Sequence, residues 1–335
     1  SAESGLDYLD LTASALFLDL DADGDQDLAL TLLGRLLLLA NDGTGRFREV
    51  RHYPTAADTQ PMCAADYDLD GDLDLFVGVN DGWQAGRTHS PLGNFVYHDA
   101  TDGGPNTLFR NEGDFTFTDV TAAVGLDADN HRHSLAACWE DYDDDGDPDL
   151  YVANDYGPNH LWRNDGGRFV DVAKEVGAED YGSGMSAHWG DYDRDGDFDL
   201  YVANMWSSAG GRVTHQDKFR SFEKTEIKKR WQRFAKGNTL LRNRGDGRFE
   251  EVSAEAAVEM GRWSWGSQFV DLNNDGWEDL VVMHGHVLRF PPYESPVRQT
   301  PALLRNELLD GRRYFRDISS TVGLYFRTPA LGRGL

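Results

Sequence analysis

Short apolar runs alternate along the chain with clusters of Asp, Asn and Gly. Two of these runs, at residues 150–154 and 200–204, both read Leu-Tyr-Val-Ala-Asn. Short runs rich in branched and aromatic residues and bounded by turn formers predict β-strands. The most apolar stretch, residues 28–40, contains Gly34-Arg35 and is interpreted as two strands joined by a tight turn. It is too short to cross a membrane, so no transmembrane segment is predicted. The strand-like runs together predict an all-β protein.

A nine-residue acidic phrase precedes five of the apolar runs. It carries side-chain oxygens at positions 1, 3, 5 and 9, which can converge on one hard cation together with the backbone carbonyl of position 7. Glycine at position 6 permits the positive φ that folds the loop around the ion. The backbone ligands would be Asp25, Asp72, Asp147, Asp197 and Trp277. The side-chain ligands would be Asp19, Asp21, Asp23, Asp27, Asp66, Asp68, Asp70, Asp74, Asp141, Asp143, Asp145, Asp149, Asp191, Asp193, Asp195, Asp199, Asp271, Asn273, Asp275 and Asp279.

The donor set of these loops favours Ca²⁺, about five ions with one in each loop. No histidine or cysteine lies within the five phrases, which argues against zinc and copper. The loop is not an EF-hand, because position 12 is Leu or Val instead of Glu and a strand follows instead of a helix. Solvated acidic turns without metal are the alternative. The fifth loop has Asn273 in place of a carboxylate, so we expect it to bind most weakly.

A second phrase, built around Leu-x-Arg-Asn followed by Gly and often Phe, recurs between the acidic loops and predicts hairpin turns. Each unit then consists of four antiparallel strands in about 50 residues, which is one blade of a β-propeller. The Arg-Asn pairs are predicted to support the repeat through hydrogen bonds. We predict a single domain over residues 1–335 with units at approximately 14–60, 61–135, 136–185, 186–265 and 266–330, and insertions at 81–106 and 207–236.

The acidic loops and the Arg-Asn turns together resemble FG-GAP/VCBS repeats. Such repeats build the integrin α-chain propeller and bacterial proteins similar to cartilage acidic protein, and the second group is the closer likeness. The resemblance covers nearly the whole chain and implies calcium in each matching loop, an extracytoplasmic location and commonly seven blades. Only five units are seen, so we expect a C-terminus truncated before a further blade. Closure of five blades through the N-terminal strand is the alternative.

Charge and cysteine content narrow the function. The formal net charge of −26 argues against sequence-independent nucleic-acid binding. Cys63 and Cys138 occupy equivalent places in successive units, and we favour two free thiols over a disulfide.

Residues 207–236 are basic and have helical periodicity, which predicts a helix that lies on its own acidic blade or docks a partner.

These features favour a secreted, periplasmic or cell-surface calcium-binding propeller that binds protein or glycan partners or serves in adhesion or assembly. No catalytic constellation and no organic cofactor motif is identified. One alternative is a propeller-based polysaccharide lyase or hydrolase, since fold alone does not exclude an enzyme. Another is a structural subunit of a large surface or membrane-attached complex.

Overall fold

Five antiparallel sheets, each a meander in chain order, make up the protein in a computed structural model that describes residues 3–7, 11–81, 98–205, 208–290 and 293–332. Blade 1 contains β1 (Thr12–Leu18), β2 (Asp27–Leu32), β3 (Arg35–Asn41) and β4 (Phe47–Pro54). Blade 2 contains β5 (Asp58–Ala65), β6 (Asp74–Asp81), β7 (Thr107–Asn111) and β8 (Phe117–Asp119). Blade 3 contains β9 (His133–Glu140), β10 (Asp149–Asp155), β11 (His160–Asn164) and β12 (Phe169–Asp171).

The remaining two sheets follow the same order. Blade 4 contains β13 (Gly184–Gly190), β14 (Asp199–Asn204), β15 (Thr239–Asn243) and β16 (Phe249–Glu251). Blade 5 contains β17 (Ser264–Val270), β18 (Asp279–Phe290), β20 (Ala302–Leu309) and β21 (Arg312–Asp317), while β19 (Tyr293–Arg298) pairs with the far half of β18. A four-stranded antiparallel meander is the propeller blade, so the predicted all-β propeller fold is confirmed.

The helices are few and short. Two four-residue helices, α1 (Thr121–Val124) and α2 (Ala173–Val176), follow the last strands of blades 2 and 3. Two more, α3 (Ser208–Thr214) and α4 (Thr225–Phe234), lie in the connection after the second strand of blade 4, which confirms the predicted helical insertion. A 3₁₀ turn spans Leu324–Arg327. Most of the other predicted insertion, residues 82–97, lies outside the described residues.

Ion pairs connect the C-terminal end of the basic helix α4 to its own blade. Arg233 donates to buried Asp180 at 2.8 Å. Lys236 pairs with Glu251 at 2.5 Å and with Glu259 at 3.2 Å. These ion pairs support the interpretation that the helix lies on its own acidic blade. No described helix is long and apolar enough to span a bilayer.

The chain divides into two compact units, Ser1–Asp155 with Leu161–Val172, and Tyr156–His160 with Ala173–Leu335. Blades 1 and 2 and most of blade 3 belong to the first unit, and blades 4 and 5 to the second. The extent of a single domain over residues 1–335 stays a prediction.

Strand β6 shows how neighbouring blades share their cores. Leu75 and Val77 pack into one apolar cluster with Leu38 of blade 1, whereas Phe76 packs into another with Leu150 of blade 3. Successive strand residues point to opposite faces, so a strand covered on both faces must be apolar throughout. This requirement explains the continuous apolar runs of β2, β10 and β14, which are buried along their whole length.

Cys63 and Cys138 are not joined by a disulfide, in line with the interpretation of two thiols. Cys63 packs against the cluster that contains Phe76, and burial raises the pKa of its thiol well above the usual range.

Truncation of Phe76 should destabilise the first unit. Phe76 is 2% exposed, so Phe76→Ala leaves a cavity and is expected to lower the free energy of unfolding by about 3–5 kcal/mol. Val170 in β12 is 50% exposed, so Val170→Ala is expected to change the free energy of unfolding by less than about 0.5 kcal/mol. Urea denaturation followed by circular dichroism measures both changes. Equal effects of the two variants would contradict the shared core.

Candidate metal centres

The five acidic loops have one backbone conformation. Each connects the first and second strands of its blade, and the glycine at position 6 has a φ between 86° in Gly276 and 102° in Gly71. Position 4 is also left-handed, although sequence reasoning assigned it no conformation. Its φ values are nearly identical in all loops, at 60° for Ala22, 59° for Leu69, 58° for Asp144, 59° for Arg194 and 58° for Asn274.

The carboxylate at position 1 holds the loop closed. Asp66 accepts hydrogen bonds from the backbone N–H groups of Asp70 at 3.0 Å and Gly71 at 2.9 Å. Asp141, Asp191 and Asp271 repeat both contacts in their own loops. The position 5 carboxylate in turn accepts from the N–H of position 7, for example Asp70 from Asp72 at 3.0 Å. The local chain therefore curls around its own acidic side chains.

Four loops bring three carboxylates together, with one oxygen from each lying within 4.8 Å of the others. The groups are Asp19, Asp21 and Asp27; Asp66, Asp68 and Asp70; Asp141, Asp143 and Asp149; and Asp191, Asp193 and Asp199. Among the described residues the fifth loop, with Asn273, forms no such group. Each of these four groups contains three of the four predicted side-chain ligands of its loop, and Asp23, Asp74, Asp145 and Asp195 lie outside the groups.

Several of these carboxylate oxygens are buried without a hydrogen-bond donor. At position 3 they are Oδ1 of Asp68, Asp143 and Asp193, and in the first loop Oδ1 of Asp19 and Asp25. A buried carboxylate oxygen without a donor is costly, and buried polar atoms in proteins are nearly always paired. A hard cation satisfies such oxygens, so these residues fit a metal ion.

The electrostatics of the loops agree with this fit. Burial, reinforced by the neighbouring carboxylates, raises the pKa of Asp21, Asp68 and Asp143, and it raises the pKa of Asp193 to about 6. Bringing like charges into one buried site disfavours ionisation. The folded loops therefore need positive charge, supplied by protons or by a cation.

The carboxylate at position 9 has a second role that sequence reasoning missed. It is buried in every loop and links the start of the loop to the third strand of the blade. Asp149, for example, accepts from the backbone N–H of Tyr142 at 3.3 Å and of Asn164 at 2.7 Å. The corresponding third-strand contacts are Asp27 to Asn41, Asp74 to Asn111, Asp199 to Asn243 and Asp279 to Asn306.

Burial also raises the pKa of these position 9 carboxyls. It reaches about 7 for Asp74, about 8 for Asp149 and about 9 for Asp199, even though the backbone N–H donors lower it.

The asparagines of three Arg-Asn pairs connect neighbouring blades. Asn164 Nδ2 donates to the backbone carbonyl of Tyr67, in the acidic loop of the preceding blade, at 2.7 Å. Asn111 donates in the same way to Leu20 at 3.3 Å, and Asn306 to Tyr192 at 2.7 Å. The predicted repeat-supporting hydrogen bonds therefore exist, and they connect each of these turns to the loop of its neighbour.

The FG-GAP-like repeat model matches residues 19–77, 141–202 and 231–282, which make up more than half of the chain and contain all five acidic loops. The chain belongs to the FG-GAP-like repeat family.

Cartilage acidic protein 1 is a relative. The human protein is 26% identical over 195 residues, which are 57% of this chain and 26% of that protein. The Xenopus tropicalis protein is 37% identical over 78 residues, or 22% of this chain and 12% of that protein. The aligned part of the chain spans about a quarter of the human protein.

Two solved structures also align. An Agrocybe aegerita lectin that recognises non-reducing terminal N-acetylglucosamine has a TM-score of 0.44 and 15% identity, over 90% of this chain and 64% of that chain. BBS1N in complex with ARL6DN has a TM-score of 0.39 and 10% identity, over 88% of this chain and 76% of that chain.

The metal-free protein should become more stable on mild acidification. Asp74, Asp149 and Asp199 have pKa values of about 7, 8 and 9 in the folded state, against about 3.9 in an unfolded chain. Because the folded state binds more protons than the unfolded state in this range, the free energy of unfolding rises as the pH falls from 9 to 6. We expect the melting temperature of chelator-treated protein to rise over that interval.

Protein in an excess of a divalent cation is the control, because an ion held by the loops would keep the carboxylates ionised and remove this gain. A metal-free melting temperature that falls steadily from pH 9 to pH 6 would contradict the assignment of these buried acids.

Proposed function

We propose that the protein is an extracytoplasmic binding module whose propeller blades are stabilised by calcium, with protein or glycan partners. The observation that carries the proposal is the set of buried carboxylate oxygens without donors in the acidic loops. The proposed ligands are the side chains at positions 1, 3, 5 and 9 of each loop and the carbonyl at position 7. In this proposal the ion neutralises the loop and fixes the turn between the first two strands of each blade.

Calcium is favoured over magnesium by the number of ligands. Four side-chain oxygens and a carbonyl in a flexible loop suit Ca²⁺, whereas Mg²⁺ demands a tight octahedron and retains several waters. Magnesium is therefore expected to substitute poorly.

The same chemistry supports a location outside the cytoplasm. Extracellular modules bind calcium with dissociation constants of about 10⁻⁴–10⁻³ M, and loops of this kind are saturated only where calcium is abundant. The relationship to cartilage acidic protein 1 supports this location. We also propose that the protein resembles the bacterial members of this group most closely and, more distantly, the integrin α-chain propeller.

The dependence on calcium can be large. A site filled at 100 times its dissociation constant adds about 2.7 kcal/mol to the free energy of unfolding. Several such sites would supply an amount comparable to the whole stability of an ordinary domain, about 5–15 kcal/mol.

Chelation tests the proposal. EGTA is expected to lower the melting temperature by about 10 °C or more, with recovery in excess calcium and little recovery in magnesium, because the loops regain their counter-ion only from a ligand they fit. Differential scanning calorimetry measures the shift, and isothermal titration gives the number of ions bound. An unchanged melting temperature in chelator would refute the proposal.

Two matched variants localise the effect. Asp193→Asn removes a carboxylate whose Oδ1 is buried without a donor. Asp246→Asn removes an equally charged side chain that pairs with Arg244 outside the acidic loops. Only the first is expected to reduce the number of calcium ions bound.

A further inference from the structure

Blade 5 departs from the repeat in two places. Position 7 of the acidic loop is aspartate in the first four loops and Trp277 in the fifth. In blade 3 the side chain of Asp147 at this position accepts from the backbone N–H of Gly166 in the neighbouring turn, at 2.9 Å. Trp277 cannot accept such a bond, so the turn beside it is free to differ.

The outer hairpin of blade 5 does differ. Strands β20 and β21 pair over six residues, from Leu304 with Asp317 to Leu309 with Arg312. The equivalent hairpins of blades 2, 3 and 4 pair over three residues each. The hairpin of blade 1 is also long, but it is extended at the end away from its turn, from Asn41 with Phe47 to Arg35 with Pro54, whereas that of blade 5 is extended toward its turn. The lengthened hairpin places Arg313 against Trp277, with the guanidinium carbon 3.0 Å from the centroid of the indole ring.

The two departures meet in one cleft of about 520 Å³ between blades 4 and 5. Trp277, Arg313 and Leu308 line it from blade 5, and Asp193, Arg242 and Glu250 line it from blade 4. Arg194, position 4 of the fourth loop, is not among the residues that line the cleft, but it also lies over the indole of Trp277, with its guanidinium carbon 5.1 Å from the centroid. The half-buried Trp277 therefore contacts two arginines, one that lines the cleft and one beside it.

The charges of the cleft separate into paired and unpaired groups. Arg242 bonds to Glu250 at 2.7 Å, and Arg312 bonds to Glu255 at 3.0 Å. Within the described part of the chain, Arg194 and Arg313 form no ion pair. Asp193 and Asp195 also line the cleft, but they belong to the fourth acidic loop, where a cation would neutralise them. Two guanidinium groups are then left for an anion.

We propose that this cleft binds an acidic saccharide, with the sugar carboxylate held by Arg313 and Arg194. A guanidinium stacked on an aromatic face keeps its in-plane N–H groups available, and their fork matches a carboxylate in bidentate fashion. Glu250 and Glu255 lie in the same cleft as acceptors for the sugar hydroxyls. The proposal rests on the proposed function, because the fourth loop must hold its cation for the carboxylate to enter.

The lining favours a saccharide over other anions. Glu250 and Glu255 keep lone pairs beyond their bonds to Arg242 and Arg312, and sugar hydroxyls can donate to these. An acidic peptide segment would instead bring additional carbonyl acceptors toward Glu250 and Glu255, and inorganic phosphate would bring concentrated negative charge. An acid that carries several hydroxyl groups satisfies both the arginines and the carboxylates.

A pair of matched ligands tests the proposal. Methyl glucuronide and methyl glucoside differ only by a carboxylate in place of a hydroxymethyl group, and their binding to the calcium-loaded full chain is measured by saturation-transfer NMR titration. The glucuronide is expected to bind about tenfold more tightly or better, because bonds between charged partners exceed neutral ones by about that factor. Equal affinities would overturn the proposal.

Variants within the cleft and outside it locate the site. Arg313→Ala is expected to weaken glucuronide binding about tenfold. Arg316→Ala, on the same strand and paired with Glu307 at 3.1 Å, should leave it within about twofold. Arg194→Asn is a second variant, since Asn tolerates the left-handed conformation at that position, and it should also weaken binding. Unchanged affinity in both cleft variants would place the sugar elsewhere and overturn the proposal.

Two further measurements distinguish failure of this inference from failure of the proposed function, and a saccharide ligand from a peptide. N-acetylaspartate N-methylamide is the peptide probe, and binding as tight as that of the glucuronide would overturn the saccharide assignment in favour of an acidic side chain. The melting temperature of each variant is measured with calcium and with EGTA. A calcium-dependent melt without glucuronide binding would refute this inference alone, whereas a melt insensitive to EGTA would refute the proposed function.

Discussion

The blades depend on the hydrogen bonds that the buried aspartate at the end of each acidic loop accepts from the backbone. Its two oxygens receive backbone N–H groups from the start of the loop and from the end of the third strand, as in Asp74, Asp149 and Asp199. Three of the four strands of a blade thus meet at one carboxylate. Because such a group is costly to bury as an anion, the same position makes the blade sensitive to protons and cations.

A second hydrogen bond extends this local order to the next blade. The asparagine side chains of Asn111, Asn164 and Asn306 each reach the loop backbone of the preceding blade, beside the shared apolar clusters. Packing between neighbours is the general source of stability in repeat proteins. Here the polar contact sets the position of the first, second and fourth acidic loops relative to the adjoining blade, so the geometry of their carboxylates does not depend on the loop alone.

Most of the architecture follows from local sequence patterns. Continuous apolar runs, the Arg-Asn turn phrase and the nine-residue acidic phrase predict the strands, hairpins and loops, because each depends on neighbours in the chain. The double role of the position 9 aspartate was not predictable, since its second partner, such as Asn164 for Asp149, lies on another strand. The cleft around Trp277 and Arg313 was missed for the same reason: it forms only when a loop and a hairpin from separate parts of the chain come together.

The left-handed residue at position 4 has a consequence for how such a protein diversifies. In all five loops this residue is exposed and held at almost one backbone angle, yet its side chain ranges from the methyl group of Ala22 to the guanidinium of Arg194. The hydrogen bonds that fix its backbone come from its neighbours and make no use of its side chain. Every blade therefore offers one outward site of fixed orientation whose chemistry can change while the scaffold beneath stays the same.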